Sequence, residues 1–153
     1  MKKISVILLA MMAAFVMSAC TSVAQMQEAI NESFSKVYNT YADALVLDGA
    51  ETYEVQSGDR LTSIAKSHYG DDKGYYFPLI MLASNDVVKD PEFIQPGMQL
   101  TIPNFDANIN DPEVAKSLSP YFKDLAGVYK QKKTEAAPDI RQHLLEIADE
   151  LSK

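Results

Sequence analysis

The chain has little of what most enzymes work with. It holds one cysteine, Cys20, and two histidines, His68 and His143. A single cysteine excludes an internal disulfide. The histidines are far apart in sequence, and neither sits in a cluster with metal-ligand spacing. No nucleophile elbow, phosphate loop or zinc helix motif occurs. The acidic pairs Asp71-Asp72 and Asp149-Glu150 read as solvated neighbours rather than a catalytic dyad. Asp71-Asp72-Lys73-Gly74 lacks the alternating acids and terminal Glu of a calcium loop. No catalytic residue, metal site or cofactor is therefore expected, and His68 reads as a helix-packing residue.

Positive charge is also scarce. Lys and Arg number 14 against 21 Asp and Glu, a net charge of -7. That argues against duplex nucleic acid, whose phosphates need a basic surface. It argues equally against attraction to anionic lipid. The length, 153 residues, leaves room for about one domain. The apolar run from Ile4 to Met17 is too short and wrongly flanked for a permanent membrane span.

That run follows Lys2 and Lys3 and ends in Met17-Ser18-Ala19-Cys20. This resembles a bacterial lipobox, although Met17 stands where Leu is usual. The resemblance implies a lipoprotein signal peptide over 1–19 and acyl chains on Cys20. Several chains anchor stably, since each buried CH₂ contributes about 0.8 kcal/mol. Thr21 is not the Asp that retains such proteins in the inner membrane, so outer membrane facing periplasm is expected. Cleavage removes two positive charges and no acid, taking -7 to -9.

The centre of the chain carries the most informative pattern. Tyr53 and Val55 alternate with polar residues, as in a half-buried strand, and Ser57-Gly58-Asp59 ends it. Leu61, Ile64, Ala65 and His68 share one helical face; Thr62 or Asp59 caps the helix and Gly70 stops it. A second helix begins near Tyr76-Phe77-Pro78, carries Leu79, Ile80, Leu82 and Ala83, and ends at Ser84-Asn85-Asp86. Pro96-Gly97 turns the chain into a last strand with Leu100 and Ile102 inward. The expected class is α+β. Its centre is a small βααβ module, a two-stranded antiparallel sheet with two helices on one face.

Tyr53-x-Val55-x-x-Gly58-Asp59-x-Leu61-x-x-Ile64-Ala65, then Asn85, then Ile94-x-Pro96-Gly97-x-x-Leu100-x-Ile102-Pro103 resembles the LysM domain family. The insertions around His68-Tyr69-Gly70-Asp71 and Lys89-Asp90-Pro91-Glu92 are similar to a longer subtype seen in potassium-binding and phage tail proteins. The resemblance implies a shallow groove for N-acetylglucosamine units of peptidoglycan. It places one lip at Gly58, Asp59, Arg60 and Leu61. It places the other at Asn85, Asp86, Val87 and Val88, with Ile94 behind. Arg60 replaces the common Thr and either helps sugar binding or blocks it. Asp59 and Asn85 also read as ordinary helix ends.

The flanks are helical. Val23, Met26, Ile30, Phe34, Val37, Tyr38, Tyr41 and Leu45 form an amphipathic stripe that Asp48-Gly49 ends. Residues 104–110 read as a polar connector. Asp111-Pro112-Glu113 starts a helix, and Ser119-Pro120 is expected to restart it. Lys130-Gln131-Lys132-Lys133 suits a helix C-terminus. Thr134 or Ala137-Pro138-Asp139 opens a last helix with Ile140, Leu144, Ile147, Ala148 and Leu151 inward. The three stripes are expected to pack together as a small bundle. The domain organisation expected is a leader at 1–19, an N-terminal helix at 20–50, the module at 51–104 and a C-terminal helical region at 105–153. The function expected is a non-enzymatic lipoprotein that binds peptidoglycan glycan strands and tethers or scaffolds the envelope. The alternatives are potassium binding, or a protein partner met through the helical arms, such as a wall hydrolase.

Overall fold

The structure, a computed structural model, describes residues 23–153. The leader and Cys20 lie outside the described residues. Helix α1 covers residues 23–41 and runs into a 3-10 turn at Ala42–Ala44. Strand β1 (Glu51–Glu54) leads to α2 (Leu61–Tyr69), a 3-10 turn (Gly74–Tyr76), α3 (Pro78–Ala83) and β2 (Gln99–Ile102). A π-helical turn (Asp106–Asn110), α4 (Pro112–Tyr129) and α5 (Ala137–Leu151) follow. The expected α+β class and the order strand, helix, helix, strand are as found.

The two strands pair antiparallel, with Tyr53 opposite Leu100 and Glu51 opposite Ile102. Leu100 and Ile102 are buried on alternate positions, as a strand with one covered face requires. Gly58 and Gly97 have φ of 90° and 88°, so both turns depend on the freedom of glycine. Leu61, Ile64 and Ala65 turn inward from α2. His68 lies at that helix's edge, its ring edge-on to Tyr53 at 5.4 Å. Buried Ser84 fastens α3 to the sheet: its Oγ takes the Thr101 N–H at 2.9 Å and donates to the Thr101 carbonyl at 3.3 Å.

Helix α3 has no free face; Pro78 through Leu82 are all buried. The sheet covers one side and the C-terminal helices the other. The Tyr121 hydroxyl donates to the Pro78 carbonyl at 2.8 Å, and Phe77 meets Tyr129 edge-on at 6.5 Å. Helices α4 and α5 pack along each other, and Leu118, Leu125, Leu144 and Ile147 on them are buried. Helix α1 closes the bundle. Phe34 lies edge-on to Tyr129 at 5.8 Å, and the Tyr41 hydroxyl donates to Asp124 at 2.6 Å. One continuous core therefore joins the module to both flanks. The expected bundle of three stripes is present, but Val23 and Met26, at the start of the first stripe, are exposed.

Four local expectations differ from what is found. Pro120 lies inside an unbroken α4. It forfeits one backbone hydrogen bond, and the buried residues on either side, Leu118 and Tyr121, hold the helix through it. Neither Thr62 nor Asp59 caps α2. Ser63 does, its Oγ accepting the Arg60 N–H at 3.0 Å and donating to the Arg60 carbonyl at 2.7 Å. The 104–110 connector is built rather than loose. Asn108 is fully buried and bonds both the N–H and the carbonyl of Val46 at 2.8 Å. Finally, Lys132 is not a solvated helix-end charge but a buried one.

Candidate functional site

The β1–α2 loop is fixed by Asp59. Its Oδ2 accepts the Gln56 N–H and the Tyr53 hydroxyl, each at 2.8 Å. The same hydrogen bond from Tyr53 to Asp59 raises the Tyr53 pKa above the ordinary value, because the ionised phenolate could no longer donate. The turn leaves Arg60 exposed, and its guanidinium has no hydrogen-bond or ion-pair partner among the described residues. Leu61 points inward, 3% exposed.

The loop between α3 and β2 is drawn toward the C-terminal helices. Asp90 is buried and receives the Lys132 Nζ on both oxygens, at 2.6 Å and 2.7 Å. Glu92 lies 3.5 Å from the same ammonium. This clamp sets Pro91, Glu92 and Ile94 opposite the β1–α2 loop. Between them opens a cavity of about 510 Å³. The module supplies Asp59, Arg60, Leu61, Thr62, Tyr75 and Phe77 on one side and Pro91, Glu92 and Ile94 on the other. Tyr129, Thr134, Ala136, Asp139 and Ile140 complete it from the C-terminal region. Leu61, Phe77, Tyr129 and Ile140 are buried and make an apolar floor. Asp59, Arg60, Glu92, Thr134 and Asp139 are polar residues around it.

The structure thus gathers Asp59, Arg60, Leu61 and Ile94 of the nine expected glycan contacts at one cavity. Gly58, Asn85, Asp86, Val87 and Val88 do not line it. Gly58 serves the turn. Val88 is 1% exposed and belongs to the core. Asn85 closes α3, its side-chain amide donating to the Leu82 carbonyl at 2.8 Å. Asp86 and Val87 are exposed outside the cavity. The lining residues that sequence reasoning missed are Thr62, Tyr75, Phe77, Pro91, Glu92 and the C-terminal wall. A larger hollow of about 670 Å³ runs along α1, but polar residues such as Glu28, Asn31 and Lys36 line it throughout and it has no apolar floor.

The model of the LysM domain family matches residues 53–103, from the strand that bears Tyr53 to the proline that ends β2. That stretch is a LysM domain. No curated protein and no solved structure matches the chain. A LysM domain is a binding module for carbohydrate, peptidoglycan in general, and works without catalysis. The match covers a third of the 153 residues, so the helices outside the LysM domain draw no information from it. Among the described residues no cluster of His, Cys, Asp and Glu could hold a metal ion. Among them, too, no helix is long and apolar enough to cross a membrane.

Proposed function

We propose that the protein is a non-enzymatic, lipid-anchored envelope protein that holds the glycan strands of peptidoglycan in the cavity beside Asp59 and Arg60. One observation carries the reading: an apolar floor with a polar rim opens beside Asp59, Arg60 and Leu61, within the stretch matched by the LysM domain family. An N-acetyl sugar has the matching chemistry. Its methyl and ring face suit Leu61, Phe77 and Ile94, and its hydroxyls and amide suit charged and backbone partners. Arg60 offers a planar set of unengaged donors. Lipid on Cys20 holds the other end of the chain at the outer membrane, facing the periplasm. Anchoring raises the effective concentration of a weak single module at the wall.

Sedimentation with purified, protein-free sacculi tests it. The full chain is expected to pellet with the wall, and Arg60→Ala and Asp59→Asn are expected to weaken the association several-fold. Full-chain protein that stays in the supernatant over a range of salt and pH would end the proposal. Mass spectrometry of Cys20 in membrane fractions tests the anchor separately.

A further inference from the structure

The cavity has a wall that the LysM domain alone does not provide. Five of its lining residues follow β2, and two of them are tied across the opening. The Thr134 hydroxyl donates to Glu92 Oε1 at 3.0 Å. Asp139, three residues inside α5, takes the Tyr75 hydroxyl on its carboxylate. Behind Tyr75, the His143 ring lies parallel at 3.7 Å and 6°, so Tyr75 is held from both its hydroxyl and its face. The buried Lys132–Asp90 pair pins this connection to the module from beneath.

We infer that the α4–α5 connection is the second wall of a composite saccharide pocket, with Asp139 and Tyr75 as ligand-contacting residues. This rests on the glycan reading above and extends it to residues outside the family match. The geometry carries it in three steps. First, the family's expected second lip at residues 85–88 does not reach the cavity; the module supplies only Pro91, Glu92 and Ile94 there, and Tyr129, Thr134, Ala136, Asp139 and Ile140 complete the lining. Second, Asp139 lines the cavity with 60% of its side chain exposed. Oδ2 is engaged by Tyr75, and Oδ1, 3.7 Å from His143 Nδ1, keeps acceptor capacity for a sugar hydroxyl. Third, a cavity of about 510 Å³ is within the range of small-ligand sites, about 300–1,000 Å³. Bridged as it is at Thr134–Glu92 and Tyr75–Asp139, it takes a short segment of a glycan strand, a few sugars at a time.

His143 provides the test. The probe is a tetramer of N-acetylglucosamine, added to the full chain and followed by calorimetry and by the proton signals of the two imidazoles. Saturable movement of the His143 signal with the calorimetric affinity is the expected result, because a sugar on Tyr75 changes the ring beneath it. Asp139→Asn, which keeps an acceptor for Tyr75, is expected to weaken the tetramer about tenfold at unchanged melting temperature, the scale of one hydrogen bond to a charged group. Binding by calorimetry with a still His143 signal and an unaffected Asp139→Asn would overturn the composite pocket while leaving the glycan reading in place. No heat and no shift with the tetramer, together with no sedimentation on sacculi, would remove both.

Discussion

The ammonium of Lys132 touches both carboxylate oxygens of Asp90, at 2.6 Å and 2.7 Å, with only 3% and 2% of the two side chains exposed. Forty-two residues separate the partners in the chain. One belongs to the LysM domain, the other to the turn after α4. Phe34 and Tyr129 place ring faces 5.6 Å and 5.9 Å from the same ammonium. Asp90 also takes the Gln27 amide at 2.9 Å and the Glu92 N–H at 3.0 Å. The pair is therefore the point where α1, the LysM domain and the C-terminal helices meet.

Removing one partner strands the other. Lys132→Met is expected to destabilise the fold by about 3–5 kcal/mol, since Asp90 would stay buried and unpaired. Adding Asp90→Asn to Lys132→Met is expected to restore much of that. Urea unfolding of the two variants and the wild type measures both. A single variant as stable as wild type would show that the pair is solvated.

The LysM domain is not expected to fold alone. A fragment of residues 51–104 would lose the Tyr129 and Phe122 rings that lie against Phe77 and Tyr76, which are 1% and 8% exposed in the whole chain. It would also lose the Tyr121 bond to Pro78. Circular dichroism of the fragment should show no cooperative melting transition. A sharp transition would establish an autonomous module.

Alkali should unfold the protein through its tyrosines. All eight have pKa values above the ordinary 10.0. Burial is the main cause for Tyr38, Tyr69, Tyr121 and Tyr129; the hydrogen bond to Asp124 takes Tyr41 to about 12. A raised pKa means that the folded state keeps protons which the unfolded state releases above pH 10. Stability is thus level in tyrosine terms below pH 10 and falls as the pH rises beyond it. Tyrosinate absorbance should lag the ordinary titration and then rise together with loss of helix. Absorbance that follows free tyrosine while the helices persist would contradict this.

Asn108→Ala should cost about 1–3 kcal/mol for each polar group it orphans. The N–H and carbonyl of Val46 both depend on that amide. Hydrogen exchange at Val46 should accelerate in the variant more than exchange in α5. Equal protection in both proteins would mean that water replaces the side chain.

Much of the fold was legible because its elements carry their own periodicity. Ile140, Leu144, Ile147, Ala148 and Leu151 repeat at helical spacing, and all five are buried. Asp111 before Pro112 marks a helix start, and its carboxylate does accept the Glu113 and Val114 N–H groups. Pro120 misled because the local rule for proline ignores the packing that holds Leu118 and Tyr121. Lys132 was readable in hindsight: with Phe122, Leu125 and Tyr129 it continues the buried stripe of α4 beyond the helix end. Its charge made it look like its solvated neighbours Lys130 and Lys133. At the site, Asp59, Arg60, Leu61 and Ile94 were within reach of a local motif. Thr134, Asp139 and Ile140 were not, since only the folded chain brings them opposite Arg60.

Ser84 has a consequence for how copies of this chain meet. By occupying the outward N–H and carbonyl of Thr101, it blunts one border of a sheet only two strands wide. An incoming strand finds those groups already taken. The opposite border belongs to β1, where Glu51 and Glu54 stand exposed and would face like charges in a second copy. Guarded by a hydroxyl on one margin and by acids on the other, the smallest possible sheet avoids becoming a template for fibrils.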